Sequence, residues 1–260
     1  MDFNFAYTVA GFGVGAIVGL TGVGGGSLMT PLLVLLFGIS PSTAVGTDLL
    51  YAALTKSGGT FVHAFKGTVD WRITGRLAAG SIPGAILTLI LVNKYFPGGV
   101  AGAAKVISFS LGIALVLTAI AIVFRKNILA YAKTHAAERS ERGVAIATVI
   151  TGLVLGILVS ISSVGAGALG VAALFFLYPN LPTVKIVGSD IAHAVPLTLV
   201  AGIGHWFLGT VDVSLLGALL LGSLPGIFIG SHISAKVPEK ILRPILATML
   251  VLVAGKLIAH

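Results

Sequence analysis

Apolar segments long enough to cross a lipid bilayer recur along almost the whole chain, and no other feature constrains the fold as much. Crossing the hydrocarbon core takes about 20 apolar residues in a helix. Only 9% of the 260 residues are charged and 57% are hydrophobic, whereas soluble domains carry about 25% charged residues. The chain is therefore predicted to be an all-α, polytopic integral membrane protein. Its ten apolar blocks lie at about 5–21, 27–38, 43–66, 72–93, 101–124, 144–161, 167–178, 185–208, 213–233 and 240–259.

Two of these blocks, 27–38 and 167–178, have 12 residues each and are too short to span an ordinary bilayer as helices. Both follow a glycine-rich turn. Irregular or interrupted helices are tolerated at membrane depth where protein surrounds them. The sequence therefore predicts two interrupted or re-entrant helices, one in each half of the chain.

The second half of the chain repeats the first. A shift of 142 residues aligns 46–84 with 188–226 and gives 15 identities in 39 positions. The aligned pairs include the run at 67–70 with the run at 209–212, both Gly-Thr-Val-Asp, and Asp48 with Asp190. Duplicated halves are typical of secondary transporters. We predict a first transmembrane repeat at 1–124, a basic cytoplasmic linker at 125–143 and a second transmembrane repeat at 144–260.

The basic residues indicate how the two repeats are oriented. If each repeat crosses five times, the loops near 66–76, 125–143, 179–185 and 234–243 share one face. That face holds 12 of the 16 lysines and arginines, and the other face holds only Lys94 and Lys256. Positive residues collect on the cytoplasmic side. The pattern therefore favours inverted repeats with both termini periplasmic, and the clustering between apolar blocks, without a basic aromatic face, speaks against nucleic-acid binding.

The motifs resemble one family of membrane permeases. The run at 19–31, Gly-Leu-Thr-Gly-Val-Gly-Gly-Gly-Ser-Leu-Met-Thr-Pro, is followed by Pro-Ser-Thr-Ala-Val-Gly-Thr-Asp at 41–48, and shorter copies recur at 164–167 and 188–190. These runs resemble the sulfite exporter TauE/SafE family. The resemblance implies transport of a small sulfur-containing anion, such as sulfite, a sulfonate, sulfoacetate or thiosulfate, across the bacterial inner membrane.

The glycine-rich turns are the first candidate for the substrate site. A helix N-terminus carries unpaired N–H groups and a partial positive charge, so it attracts anions. Glycines let the backbone approach a ligand, and serines add hydroxyl donors. The alternative is that the glycines only allow close helix packing. The residues concerned are Gly24, Gly25, Gly26 and Ser27 in the first half, and Ser162, Ser163, Gly165 and Gly167 in the second.

Charged residues inside the apolar blocks form the second candidate. Asp48 and Asp190 either couple transport to protons or make a structural hydrogen bond to the neighbouring glycine-rich turn, since a buried carboxylate is costly unless paired, hydrated or protonated. The alternative is a role at a helix start, with the acid near the N-terminal dipole. Lys56 lies about two turns beyond Asp48, and its repeat counterpart is Thr198. It attracts the anion or, alternatively, pairs with an acid such as Asp48.

Histidines complete the set of candidate residues. His63 and His205 occupy matching positions near segment ends, where they either titrate and bind an oxyanion or bond loop backbone. His193 lies three residues from Asp190 on the same helical face and is a candidate partner for it.

A secondary transporter that works by alternating access is the leading hypothesis, with a proton or sodium ion for coupling and lipid as its surroundings. A passive anion channel or facilitator, or a carrier of another small organic or inorganic anion, is the alternative. An intramembrane enzyme is disfavoured because cysteine and a His-Glu-x-x-His motif are both missing from the sequence. We expect no metal and no cofactor.

Overall fold

The described chain is entirely helical in the computed structural model, which covers residues 5–21, 26–134, 140–233 and 239–259. This confirms the predicted all-α class. The described residues form eleven helices: α1 Phe5–Thr21, α2 Gly26–Phe37, α3 Pro41–Phe65, α4 Trp71–Tyr95, α5 Gly99–Gly102, α6 Ala104–Thr134, α7 Glu141–Ser162, α8 Ala168–Leu177, α9 Thr183–Phe207, α10 Val213–Ile233 and α11 Glu239–Ala259.

Five helices, α4, α6, α7, α9 and α10, are long and apolar enough to cross a membrane. Shorter apolar helices lie within α1, α2, α8 and α11. Helix α3 has 25 residues but carries Asp48 and Lys56. A helix with two charged side chains needs protein around it in a bilayer, and residues 44–53 of α3 are indeed buried.

The helices follow the sequence repeat closely. Helices α3 and α9 begin and end at positions related by the shift of 142 residues. The short helices α2 and α8 are the two interrupted segments predicted from the sequence. Helix α6 continues through residues 125–134 of the segment predicted as a linker, and α7 begins at Glu141. The domain boundaries themselves stay a prediction.

Helices α3 and α9 pack against each other in opposite directions. Gly46 near the start of α3 contacts His205 near the end of α9. Towards the other end, the Thr60 hydroxyl donates to the carbonyl of Ile191 at 3.4 Å. Residue numbers therefore rise along one helix as they fall along the other. Because these helices are equivalent in the two repeats, their antiparallel packing is what inverted repeats require.

The first helix of each repeat packs in parallel against the fourth helix of the other. In the α4–α7 pair, Gly80 lies against Val149 and Gly84 against Leu153. The α1–α10 pair is built the same way, with Gly11 against Leu219. A methyl group at Gly80 would overlap the Val149 carbonyl oxygen. Small residues at such spacing let membrane helices approach closely, so each repeat is completed by the other.

Two matching hydrogen bonds tie the loops of one repeat to the central helix of the other. The Asp70 amide donates to the Ser189 hydroxyl at 2.8 Å, and the Asp212 amide donates to the Thr47 hydroxyl at 3.0 Å. Asp70 also caps α4 by accepting from the amides of Arg72 and Ile73. The repeated Gly-Thr-Val-Asp runs therefore have a structural role at the junction of the repeats.

Candidate functional site

Charged and hydroxyl groups from both repeats meet inside the protein, beside the turn that joins α7 to α8. We call this group the Lys56 cluster. It consists of the side chains of Thr30, Asp48, Lys56, Ser163 and Asp190 and the carbonyl group of Ala166. The two carboxylates are 0% and 1% exposed, so any ion that pairs with them must do so away from bulk water.

Lys56 links the first repeat to the glycine-rich turn of the second. Its Nζ donates to the Ala166 carbonyl oxygen at 2.6 Å. The ammonium also interacts electrostatically with Asp48 and Asp190. Neither carboxylate makes a contact ion pair with it within the described part of the chain. Lys56 is only partly buried, and an ammonium has three donors, so it has donors left for a ligand.

Asp48 joins the cluster from the middle of the buried part of α3. Thr30, on the short helix α2, donates its hydroxyl proton to Asp48 Oδ2. Ser163 lies beside the same carboxylate. Asp48 Oδ1 and Ser163 Oγ are both buried without a hydrogen-bond partner in the described structure. Unpaired buried polar atoms cost free energy, so a water molecule or an ion that pairs with these two atoms would be stabilised there.

Asp190 occupies the equivalent position in the second repeat, on α9. Its Oδ1 is buried without a partner among the described residues. A methyl group at Gly170, on the short helix α8, would overlap this oxygen. Each aspartate therefore lies against the short helix of its own repeat, Asp48 through Thr30 and Asp190 through Gly170.

The α7–α8 turn has a backbone that only certain residues accept. Gly165 and Gly167 have φ angles of 124° and 142°, and Ser163 has a φ of 59°. Ser162 is engaged within the turn, donating to Leu158 O at 2.7 Å and accepting from the Val164 amide. The first helical hydrogen bonds of α8 come from Gly170 and Val171, so the preceding amides form its N-terminus near Lys56.

The corresponding turn of the first repeat can be described only in part. Gly24 and Gly25 lie outside the described residues. Gly26 begins α2, and Ser27 in its first turn is buried. Of the two glycine-rich turns, only the one in the second repeat is therefore described in full.

His193 extends the polar region towards α4. Its Nε2 lies 2.8 Å from the Ser81 hydroxyl, and its Nδ1 is buried without a partner among the described residues. The equivalent pair in the other repeat is Tyr51 with Ser223, where the phenol lies beside the serine without hydrogen-bond geometry. The structure does not pair His193 directly with Asp190.

His63 and His205 lie away from the cluster, at the ends of α3 and α9. In each, Nδ1 lies near a hydroxyl five residues later, at 2.8 Å from His63 to Thr68 and 2.7 Å from His205 to Thr210. The His205 Nε2 also contacts the Ser160 carbonyl at 2.9 Å. Both rings thus contact a loop hydroxyl, and the His205 ring also contacts the backbone of α7.

Comparisons with known proteins show which family the chain belongs to. The model of the sulfite exporter TauE/SafE family matches residues 7–257. The chain belongs to this family. It is 40% identical over 252 residues to the probable membrane transporter protein YjnA of Bacillus subtilis, covering 95% of this chain and 97% of that protein. No solved structure matches the chain.

Two further relatives align with this chain over most of its length. The probable membrane transporter protein YdhB of Bacillus subtilis is 30% identical, covering 89% of this chain and 91% of that protein. The probable membrane transporter protein MJ0441 of Methanocaldococcus jannaschii is 26% identical, covering 93% and 90%. The chain is thus a multi-pass membrane transporter of the TauE/SafE family, and the prediction that it is not an enzyme is confirmed.

Sequence reasoning missed two hydroxyl groups that make contacts at this candidate site. Thr30 was not singled out because its repeat counterpart is apolar, although a hydroxyl in a short apolar block was a signal. Ser81 is the second such residue, and its repeat counterpart Ser223 is also a serine. That repetition of a buried hydroxyl was itself the signal for a polar contact across helices.

Proposed function

We propose that this transporter carries a small sulfur-containing anion, such as sulfite, a sulfonate, sulfoacetate or thiosulfate, across the inner membrane by alternating access. The anion binds between Lys56, Ser163 and the N-terminus of α8. The family membership supports the substrate class. The observation that carries the site is the bond from Lys56 Nζ to Ala166 O, because it brings the cation to a glycine-rich turn at a helix N-terminus.

The donors around that bond suit an oxyanion. An ammonium makes charge-assisted hydrogen bonds to anionic oxygens, and the first amides of a helix add further N–H groups. Ser163 contributes a buried hydroxyl that has no partner in the described structure. Lys56 uses one of its three donors on Ala166 O, so an anion can accept from the others while that bond remains.

Charge balance supports coupling to a cation. With both aspartates ionised, the cluster has one positive and two negative side chains. An added anion would leave an excess of negative charge inside the membrane, where an unpaired charge costs about 3 kcal/mol or more. Each proton or sodium ion bound at Asp48 or Asp190 lowers that excess by one charge. Anion and cation are therefore expected to cross together.

The basic face supports the orientation of the chain. Residues of α4, α7 and the α8–α9 loop line one common cavity, so three of the loops rich in lysine and arginine meet at one end of the molecule. By the positive-inside rule, this end faces the cytoplasm, and both termini face the periplasm.

Burial of the cluster supports a carrier over a channel. Asp48 and Asp190 are shielded from water, and the nearby ammonium is bonded to protein. A conducting pore would need a continuous hydrated path through this region. Transport is therefore expected to saturate, and an anion on the far side is expected to accelerate exchange.

The proposal is tested with purified protein in liposomes loaded with thiosulfate, sulfite or sulfoacetate. We expect saturable counterflow of at least one of these anions, driven by an inward proton or sodium gradient. Empty liposomes and liposomes with Lys56→Ala protein are the controls. Absence of flux for all three anions under every gradient refutes the substrate class, and conductance without saturation refutes the carrier mechanism.

A further inference from the structure

A cavity of about 450 Å³ opens at the basic end of the molecule, separate from the Lys56 cluster. It lies where α4 and α7 begin and where the loop from α8 to α9 passes. At about 30 Å³ per water molecule, this volume accommodates a small oxyanion with part of its hydration shell. Its polar lining comes from Asp70, Arg72, Arg76, Glu141, Tyr178 and Asn180.

Arg76 is oriented towards this cavity by a directional chain of hydrogen bonds. Its Nη1 donates to the Tyr178 hydroxyl oxygen at 3.3 Å. Tyr178 then donates to Thr148 at 2.7 Å, because the Thr148 proton is given to the Val144 carbonyl. A guanidinium has five N–H donors. This arrangement uses one of them, so the others remain for a ligand.

The two arginines are not neutralised by contact with the cavity's acids. Neither guanidinium makes an ion pair with a carboxylate of the described chain. Asp70 accepts from two amides at the start of α4, and Glu141 lies in the first turn of α7. Each helix start contributes roughly half a positive charge, and the end of α8 at Leu177 contributes roughly half a negative charge. The cavity therefore has an excess of about half a positive charge by this count.

The opposite repeat has no such cavity lining. The repeat counterparts of Arg72 and Arg76 are Ser214 and Ala218, and the counterpart of Tyr178 is Phe37. The arginine pair is therefore not a consequence of the duplicated fold. It gives the basic end an anion-attracting feature that the repeat-related positions lack.

We propose that this cavity is a second oxyanion site, which binds a tetrahedral sulfur or phosphorus oxyanion through Arg72 and Arg76. Tyr178 is a positioning residue that directs the Arg76 guanidinium. The proposal rests on the proposed function only in taking the transported sulfur oxyanion as the natural ligand. The same chemistry is present in a free anion and in the phosphate of an anionic lipid, and binding experiments separate these sources.

The test uses full-length Lys56→Ala protein, in which the central site is disabled, and measures sulfate and thiosulfate binding by titration calorimetry in uncharged detergent. We expect binding to persist there and to weaken at least tenfold when Arg76→Ala is added. Tyr178→Phe should weaken it less, and the neighbouring Arg142→Ala is the matched control. If Lys56→Ala protein does not bind these anions, or if adding Arg76→Ala does not change its affinity for them, the second site is overturned. Either result leaves the transport proposal intact.

The source of the ligand is decided in nanodiscs. If phosphatidylglycerol abolishes sulfate binding in nanodiscs of otherwise neutral lipid, and Arg76→Ala lowers retention of that lipid, the site is occupied by a headgroup. If sulfate binding is unchanged by the anionic lipid, the free anion is the ligand. Equal lipid retention and equal sulfate binding in Arg76→Ala and Arg142→Ala proteins would overturn both forms of the proposal.

Discussion

The two repeats carry different kinds of side chain at the position of Lys56. Its counterpart Thr198 donates its hydroxyl within its own helix, to Ala194 O at 2.8 Å. Lys56 instead reaches 110 positions along the chain to Ala166. With one cation in the described cluster, the proposed central site takes one anion rather than two equivalent ones, which suits a carrier that binds one anion there per cycle.

Replacing Lys56 should therefore affect anion binding more than folding. We expect Lys56→Ala to raise the dissociation constant of the transported anion by about tenfold to a hundredfold, since a hydrogen bond to a charged group contributes about 1.5–3 kcal/mol. Scintillation-proximity or calorimetric binding to purified protein measures this. Lys105→Ala, which alters an exposed lysine on α6, is the matched control, and equal affinity in the two variants would remove Lys56 from the site.

Asp190 should control the response of transport to pH. In Asp190→Asn protein the side chain keeps its shape but no longer binds a proton or carries charge. We expect flux in liposomes to continue while losing its dependence on an imposed pH gradient, measured with the membrane potential clamped. An unchanged pH response would give Asp190 a structural role, and stimulation by sodium alone in the parent protein would identify the other coupling ion.

At the residue scale the sequence singles out three charged residues, which the structure places near one another, but it does not show how they are joined. Asp48, Lys56 and Asp190 stand out because charges are rare in apolar segments. The Lys56–Ala166 bond depends on how two distant segments pack, and no local pattern encodes it. The roles of His63 and His205 were open for the same reason, since each ring's partners include a loop hydroxyl whose position only the fold defines.

Glycines determine how closely the elements approach each other. On α4, Gly80 and Gly75 are only five residues apart, but they have different surroundings. A methyl at Gly80 would overlap Val149 of α7, whereas nothing lies within 4 Å of a methyl at Gly75. The pair therefore separates the effect of packing from the effect of helix propensity.

We expect Gly80→Ala to lower the thermal stability of the detergent-solubilised protein by several degrees. Overpacking a close helix contact costs about 1–3 kcal/mol. Gly75→Ala should leave the melting temperature equal or slightly higher, because alanine is favoured over glycine in helices by about 1 kcal/mol. Fluorescence-detected size-exclusion chromatography after heating compares the two, and equal melting curves would contradict the α4–α7 contact.

The elements themselves were largely predictable, because apolar length and glycine-rich turns are local features. The bounds of α3 and α9 follow the repeat shift, and α2 and α8 are the short helices expected from their blocks. The extension of α6 to Thr134 was missed because charge composition was taken to end the helix. Residues 125–134 include several good helix formers, such as Leu129, Ala130 and Ala132.

The whole molecule is an interleaved pair of inverted repeats, and its orientation is open to direct measurement. The chain contains no cysteine, so single cysteines report position without further changes. We expect Lys94→Cys to react with a membrane-impermeant maleimide from outside intact cells, and Lys133→Cys to react only after the cells are opened. Labelling of both from the same side would contradict the proposed topology.

The inversion of the repeats could be predicted from the sequence. An odd number of crossings in each repeat and the collection of lysines and arginines on one face indicate the same arrangement. The parallel contacts of α1 with α10 and α4 with α7 could not be predicted, since close glycine packing has no unique partner in sequence. Many pairs of small residues along the chain have suitable spacing. Only the three-dimensional arrangement selects among them.

The contact between α1 and α10 has a consequence for how the protein is made. Helix α1 ends at Thr21, and α10 begins at Val213. At about 5–20 residues per second, a ribosome needs roughly 10–40 s to synthesise the stretch between them. During that interval Gly11 and Gly15 of the newly inserted α1 do not yet have α10 to pack against. Final assembly of the N-terminal helix therefore waits until translation is nearly finished.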